Sequence, residues 1–137
     1  MPATYALEVA TQERVVLRDE ILSLIAPSVE GQLGVLARHA PLICELGIGR
    51  LKLRYADGTR KLMAVAGGIM EVSRQGVIVL PDIAELPQEI DVERARQALD
   101  RARARLRHET PDEHVDLDRA RLALLRALNR LRTAEGA

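Results

Sequence analysis

Phenylalanine and tryptophan are absent from the 137 residues, and tyrosine occurs only as Tyr5 and Tyr55. The core must therefore be aliphatic, built from Val, Ile, Leu and Ala. Stacking on bases or sugars, the usual basis of single-stranded nucleic-acid binding, is nearly excluded. The single cysteine, Cys44, can form no internal disulfide, and the C-x-x-C and H-x-x-x-H spacings of zinc sites are missing. No apolar run approaches the ~18 residues of a membrane-crossing helix, and no basic segment precedes an apolar one at the N-terminus, so a chain of the cytoplasm is expected. Net charge is missing too: 20 Lys+Arg balance 20 Asp+Glu, and no global field steers the chain toward DNA or lipid.

The balance hides an asymmetry. Residues 1–91 hold 9 Lys+Arg against 12 Asp+Glu, whereas residues 92–137 hold 11 Arg, no Lys and 8 Asp+Glu. At 47% hydrophobic residues the chain can bury a core, either as one domain with an appendage or as two very small domains.

Up to about residue 85 the pattern is short period-2 segments: Tyr5–Val9, Val15–Leu17, Ile21–Ile25, Arg50–Tyr55, Lys61–Val65, Ile69–Val72 and Val77–Leu80 all read as strands. Ala56-Asp57-Gly58-Thr59 is the clearest hairpin turn, and Gly67-Gly68 and Gln75-Gly76 read as further reversals. Many short strands at close spacing imply a sandwich or flattened barrel. After Pro87 the period changes. Val92, Ala95, Leu99, Ala102 and Leu106 share one helical face, and Leu117, Ala120, Leu124, Leu128 and Leu131 share another. Asp91 and Asp116 stand where N-caps belong, and Glu109-Thr110-Pro111-Asp112-Glu113 breaks the two helices apart. The expected fold is α+β: an antiparallel β-sandwich over residues 1–86, then a two-helix antiparallel hairpin within residues 87–137. The hairpin's stripes are narrow and rich in Ala, so its attachment is expected to be weak enough to switch.

Three features invite a chemical reading. His39, in Gly31-Gln32-Leu33-Gly34-Val35-Leu36-Ala37-Arg38-His39-Ala40-Pro41-Leu42, lacks the nucleophile or carboxylate partner that a base would need. Cys44 nearby reads as a small hydrophobe, so an enzyme built on the two is the weaker alternative. Gly67-Gly68 precedes a strand rather than a helix, which rejects a phosphate-cradling loop. Arg94 and Arg101 are seven apart on the first helix, and Arg126 and Arg130 are four apart on the second. In a folded hairpin they could converge on phosphate oxygens, although solvated, salt-bridged arginines around Glu93 and Asp100 explain the same charge pattern.

Four stretches, "GQLGVLARHAPL" at 31–42, "AGGIMEV" at 66–72, "EIDVERA" at 89–95 and "LALLRALNRLRTAE" at 122–135, occur in the order in which similar ones occur in a known family. The chain resembles the ε subunits of bacterial F-type ATP synthases nearly end to end, departing at Ala37-Arg38 where that family usually has Pro-Gly. The resemblance implies a non-catalytic central-stalk subunit of a proton-translocating complex, peripheral on the cytoplasmic face of the membrane. It would couple the membrane c-ring to the γ subunit and restrain ATP hydrolysis through a mobile hairpin that meets the catalytic β subunits. It implies that Gly31, Leu33, Gly34, His39 and Pro41 shape the docking edge. Some members bind ATP at an Ile/Leu-Asp-x-x-Arg-Ala motif, which Ile90, Asp91, Arg94 and Ala95 match; further contacts would fall on Glu85, Arg101, Arg126 and Arg130. ATP would then be a regulatory ligand, with no cofactor, metal, nucleic acid or membrane insertion required. The alternative from another class is a free RNA-binding module using the arginine-rich hairpin.

Overall fold

The structure, a computed structural model, describes residues 3–107 and 116–136. It divides into two compact units, one ending at Glu85 and one beginning at Leu86. The break expected at residues 109–113, and the histidines His108 and His114, lie outside the described residues.

The first unit consists of β1 (Tyr5–Ala10), β2 (Val15–Ile21), β3 (Ser23–Ser28), β4 (Gly31–Leu36), β5 (Leu42–Glu45), β6 (Ile48–Arg54), β7 (Arg60–Ser73) and β8 (Gly76–Glu85). Hydrogen bonds connect them in the order β2-β1-β8-β7-β6-β3-β4, with β5 also on β7. Register turns this path into two layers. The first half of β7, residues 60–66, pairs with β6, while residues 69–72 pair with β5. Its other edge pairs with β8 from Ala64 to Ser73, and β1 joins residues 77–79 of β8. One layer is therefore β2, β1, the start of β8, the end of β7 and β5. The other is the end of β8, the start of β7, β6, β3 and β4.

Four expectations are corrected here. Gly67-Gly68 is no reversal, and the segments 61–65 and 69–72 are one strand. The glycines sit inside β7 at φ 70° and 100°, where it passes from one layer to the other, and the backbone N–H of Leu46 donates to the Gly68 carbonyl at 2.8 Å. A side chain at Gly68 would run into the backbone of Leu80 and Pro81, so only glycine permits this crossing. The segment 21–25 is two strands, because the Leu22 N–H donates to Arg54 O and turns the corner between layers. Residues 31–36, which are not among the segments that read as strands, form β4. The sandwich is not wholly antiparallel either, since β1 and β8 run parallel. Period-2 patterning reports which face is buried and not which strand lies alongside.

Inward positions alternate as a half-buried strand demands: Leu7 and Val9, Leu24 and Ala26, Leu51 and Leu53, Met70 and Val72, Val77 and Val79 are all at most 3% exposed. The two tyrosines tie strands together. Tyr5 donates from its hydroxyl to Val35 O at 2.7 Å, joining β1 to β4. Tyr55, just after β6, donates to the Asp19 carboxylate of β2, and Lys61 lies 5.1 Å from its ring centroid and 3.7 Å from Asp19.

The second unit holds a short 3-10 turn (Pro87–Glu89), α1 (Val92–Leu106) and α2 (Leu117–Glu135). Both helices begin as expected: Asp91 accepts from the Arg94 N–H at 3.0 Å and Asp116 from the Arg119 N–H at 3.1 Å. Gly136, left-handed at φ 79°, ends α2. Along its length α2 packs against α1, and it also packs against the turn that precedes α1, so the helices run antiparallel. The buried seam is narrower than the apolar stripes: Ala95, Leu99 and Ala102 on α1, and Ala120, Ala127 and Thr133 on α2. Val92 is 39% exposed, and the remaining leucines of the expected stripes are only half-buried. Alanines seven residues apart on each helix let the backbones approach, but each contributes a single methyl, worth about 0.8 kcal/mol. Thr133 is fully buried and donates to Asn129 O at 2.7 Å, so its hydroxyl is satisfied within the helix.

Candidate functional site

The expected docking residues fall along one strand rather than at one point. Gly31, Leu33 and Gly34 lie on β4, the end of the sheet path, which among the described residues pairs only with β3. His39 and Pro41 lie in the connection to β5. Five steps of β4 separate Gly31 from Leu36, about 16 Å, so what the residues define is a terminal strand, on which Gly31 O accepts from Ser28 and Val35 O from Tyr5. Gly31, Gly34 and Pro41 are exposed, Leu33 and His39 half-buried. The His39 N–H closes a turn onto Leu36 O at 3.2 Å, which places Arg38 at φ 65°. The turn thus keeps the left-handed residue that glycine would supply in the resembled family, with an arginine in its place.

His39 Nδ1 lies 2.7 Å from Ala40 O, which must accept, so that nitrogen carries the proton. Cys44 is half-buried on β5, and burial pushes its thiol up from the ordinary range, the opposite of an activated nucleophile. Among the described residues no group of three His, Cys, Asp or Glu side chains could hold a metal ion.

A feature not read from the sequence is the outer face of the layer containing β5, β7 and β8. Ile43, Ile69, Ile78 and Leu80 are 69, 44, 40 and 41% exposed. Register places Ile69 beside Leu80 and Glu45, and Glu71 between Ile43 and Ile78, giving one apolar surface interrupted and rimmed by glutamates. The signal was present in Val77-Ile78-Val79-Leu80, where the apolar/polar alternation fails and both faces of the strand are apolar, the pattern of a strand covered on both sides.

The arginines expected to bind a nucleotide divide as follows. Arg94 and Arg101 are exposed on α1, while Arg126 and Arg130 are half-buried on α2. Arg94, Arg101 and Arg126 each directly precede a seam alanine: Ala95, Ala102 and Ala127. On antiparallel helices the position before a seam residue falls on the same edge of the seam, because the two helices turn in opposite senses seen from one end. Three guanidinium groups therefore share an edge of the hairpin, and Arg130, one turn past Arg126, extends it. Ile90 is buried at 8% and Ala95 at 3%, so these two motif residues pack. Asp91 uses Oδ1 on its own helix. Glu85, the last residue of β8, belongs to the sandwich unit. Of the local carboxylates, Glu93 pairs with Arg96 at 3.6 Å, both well exposed.

The described residues define a two-unit class of protein, a β-sandwich followed by an arginine-rich two-helix hairpin. The comparisons give the particular family. The ATP synthase Delta/Epsilon chain beta-sandwich domain matches residues 4–87, and the Delta/Epsilon chain long alpha-helix domain matches residues 88–135. The ATP synthase epsilon chain of Syntrophomonas wolfei is 48% identical over 104 residues, 76% of each chain. That of Moorella thermoacetica is 49% identical over 80% of this chain and 81% of its own. That of Carboxydothermus hydrogenoformans is 51% identical over 77% and 78%. Among solved structures, a chain of the Euglena gracilis mitochondrial ATP synthase, in its OSCP/F1/c-ring assembly, is 28% identical with a TM-score of 0.79, covering 99% of this chain and 82% of that one. A chain of the Tetrahymena thermophila mitochondrial ATP synthase central stalk and c-ring shares the fold, at 12% identity and a TM-score of 0.58, over 98% of this chain and 96% of that one. The chain belongs to the ATP synthase delta/epsilon family. No helix among the described residues is long and apolar enough to cross a membrane.

Proposed function

We propose that the chain is a non-catalytic central-stalk subunit that couples a membrane c-ring to a γ subunit and restrains ATP hydrolysis through its hairpin. The observation carrying the reading is the conjunction, in one chain, of both family domains with two unlike surfaces. The terminal strand β4 and the apolar face of Ile43, Ile69, Ile78 and Leu80 suit permanent docking in a stalk. The hairpin offers exposed guanidinium groups that suit the acidic surfaces of catalytic β subunits. A free RNA-binding module, the rival reading, would leave the apolar sandwich face without a role. The subunit would sit on the cytoplasmic face of the membrane, held there by its partners.

The hairpin also suits ATP as a regulatory ligand. A phosphate group bridging Arg94 or Arg101 to Arg126 and Arg130 requires the helices together, so ATP binding would favour the compact hairpin and relieve inhibition. Asp91 has Oδ2 left to accept from an adenine amino group.

Removing the residues after Leu86 in the assembled complex should leave assembly intact and raise ATPase activity; an unchanged rate would end the regulatory reading. Gly34→Glu meets open space in the fold and should detach or uncouple the subunit, so normal proton pumping by that variant would end the docking reading. Calorimetric titration with ATP should show binding that Arg126→Ala weakens by about 1–3 kcal/mol. Binding indifferent to both Arg126→Ala and Asp91→Ala would return these side chains to a solvated surface.

A further inference from the structure

Two grooves of similar size open on the sandwich, and their linings differ in charge. The first, about 500 Å³, is lined by Glu8, Asp19 and Glu20 with a single cation, Arg18, which is paired to Glu8. The second, about 480 Å³, lies between the start of β1, the β4–β5 turn and the β7–β8 turn; its described lining includes Arg38, His39 and Arg74 and no Asp or Glu. Among the described residues neither Arg38 nor Arg74 has a carboxylate partner. Thr4 of the lining donates to Glu20 at 3.2 Å, and Glu20 itself lines the other groove. Of the other polar side chains of the lining, the Tyr5 hydroxyl donates to Val35 O, Ser73 Oγ to Gly76 O and His39 Nδ1 to Ala40 O.

We propose that this second groove is an oxyanion site for a phosphate group, with Arg38 and Arg74 as its cationic ligands. Two arginines on different turns line one acid-free concavity, and the oxygens of a tetrahedral oxyanion match the guanidinium fork of each. Arg38 occupies a left-handed backbone position that costs an arginine on the order of 1 kcal/mol and a glycine almost nothing. A guanidinium-bearing residue thus lines the groove at a position where the backbone favours a residue without a side chain. The phosphate could be free or the headgroup of an anionic lipid, and the chemistry of recognition is the same.

The test uses the full chain, with amide NMR shifts followed during titration with inorganic phosphate. Saturable shifts confined to residues 36–41 and 73–77 are expected. Each of Arg38→Gly and Arg74→Gln should weaken binding roughly tenfold, the scale of one charge-assisted hydrogen bond. Arg38→Gly also relieves the left-handed backbone, so a lost response from that variant is not a folding defect; Arg60→Gln, at the opposite end of β7 from Arg74, is the control and should change nothing. Co-sedimentation with phosphatidylglycerol vesicles, against phosphatidylcholine vesicles, separates the sources. Binding to the anionic vesicles that the double variant loses assigns the lipid headgroup, and phosphate binding without vesicle binding assigns the free ion. No saturable shift with phosphate together with no vesicle binding, or a response unchanged in both arginine variants, overturns the site.

Discussion

The sandwich and the hairpin are built on different densities of burial. Among the described residues, ten of the largest side chains below 2% exposure are in the sandwich, from Val9 to Val79, and the hairpin contributes Thr133 alone. The sandwich buries branched and long aliphatic groups between two layers that share strands, so no layer can leave without breaking β7 or β8. The hairpin buries alanines and one leucine along a seam. Each seam methyl returns little free energy, and the surrounding arginines are solvated either way. One region is a platform held by its shared core, as the proposed docking role requires. The other can change its packing at small cost, which is the property a regulatory arm needs.

The sharpest way to break the platform is at the layer crossing. Gly68→Ala puts a methyl against the Leu80 carbonyl at a backbone angle of φ 100°, and both penalties fall on one residue. A loss of more than about 3 kcal/mol is expected from combined clash and strain, read as failure to fold or a large fall in Tm. A mild effect would mean that β7 does not make the crossing described.

Next comes a direct contrast between cores. Leu51→Ala, at 0% exposure in the sandwich, should cost about 2–5 kcal/mol, and Leu99→Ala, in the hairpin seam at 6%, should fall at the lower end of that range. Amide hydrogen exchange distinguishes the regions. Leu99→Ala should lower protection in α1 and α2 only, whereas equal loss of protection across β6 and β7 would make the two units one cooperative block.

Alkaline pH should separate the regions as well. Burial, and at Tyr55 the neighbouring Asp19 carboxylate, pushes both tyrosine hydroxyls above the ordinary phenol range. The unfolded chain then loses these protons first. Stability from the two hydroxyls is present below about pH 10 and is lost as pH rises through the folded-state values. Both tyrosines are in the sandwich, and the hairpin has neither tyrosine nor lysine. Sandwich protection should therefore fall above about pH 10, and less steeply in Tyr5→Phe and Tyr55→Phe. A wild-type profile identical to that of both variants would sink this account.

How legible each region was follows from what decides it physically. The helices were readable because the 3.6-residue period and the capping aspartates are local, and Asp91 and Asp116 cap as their positions imply. The strand identities were not. Gly31-Gln32-Leu33-Gly34 has poor strand propensity, and only pairing with β3 makes it β4. Gly67-Gly68 reads as a turn because the same positive φ serves a reversal and a layer crossing. The parallel β1–β8 pair joins the two ends of the sandwich, information that no window of sequence holds. Among site residues, the arginines could be placed on helices, but their sharing of one seam edge appeared only once Ala95, Ala102 and Ala127 were seen to be the buried positions. The apolar outer face was written in Val77–Leu80 and passed over because a strand was already expected there.

The smallest expected effect compares the same residue type in the two regions. Arg50 stands on β6 at an outward position, and its Nη1 is buried without a hydrogen-bond partner. A guanidinium nitrogen in that condition has given up water for nothing, so Arg50→Met, which keeps the stem and removes the orphan donor, should leave stability unchanged or raise it by up to about 1 kcal/mol. In the hairpin, Arg96 pairs with Glu93 at 3.6 Å with both side chains more than half exposed, and Arg96→Met should change stability by no more than about 0.5 kcal/mol in either direction. Urea unfolding of both variants reads the difference. If Arg50→Met is clearly destabilising, the buried nitrogen has a partner that offsets its desolvation, and the sandwich uses its arginine as the hairpin uses Arg96, in an ion pair, rather than tolerating it.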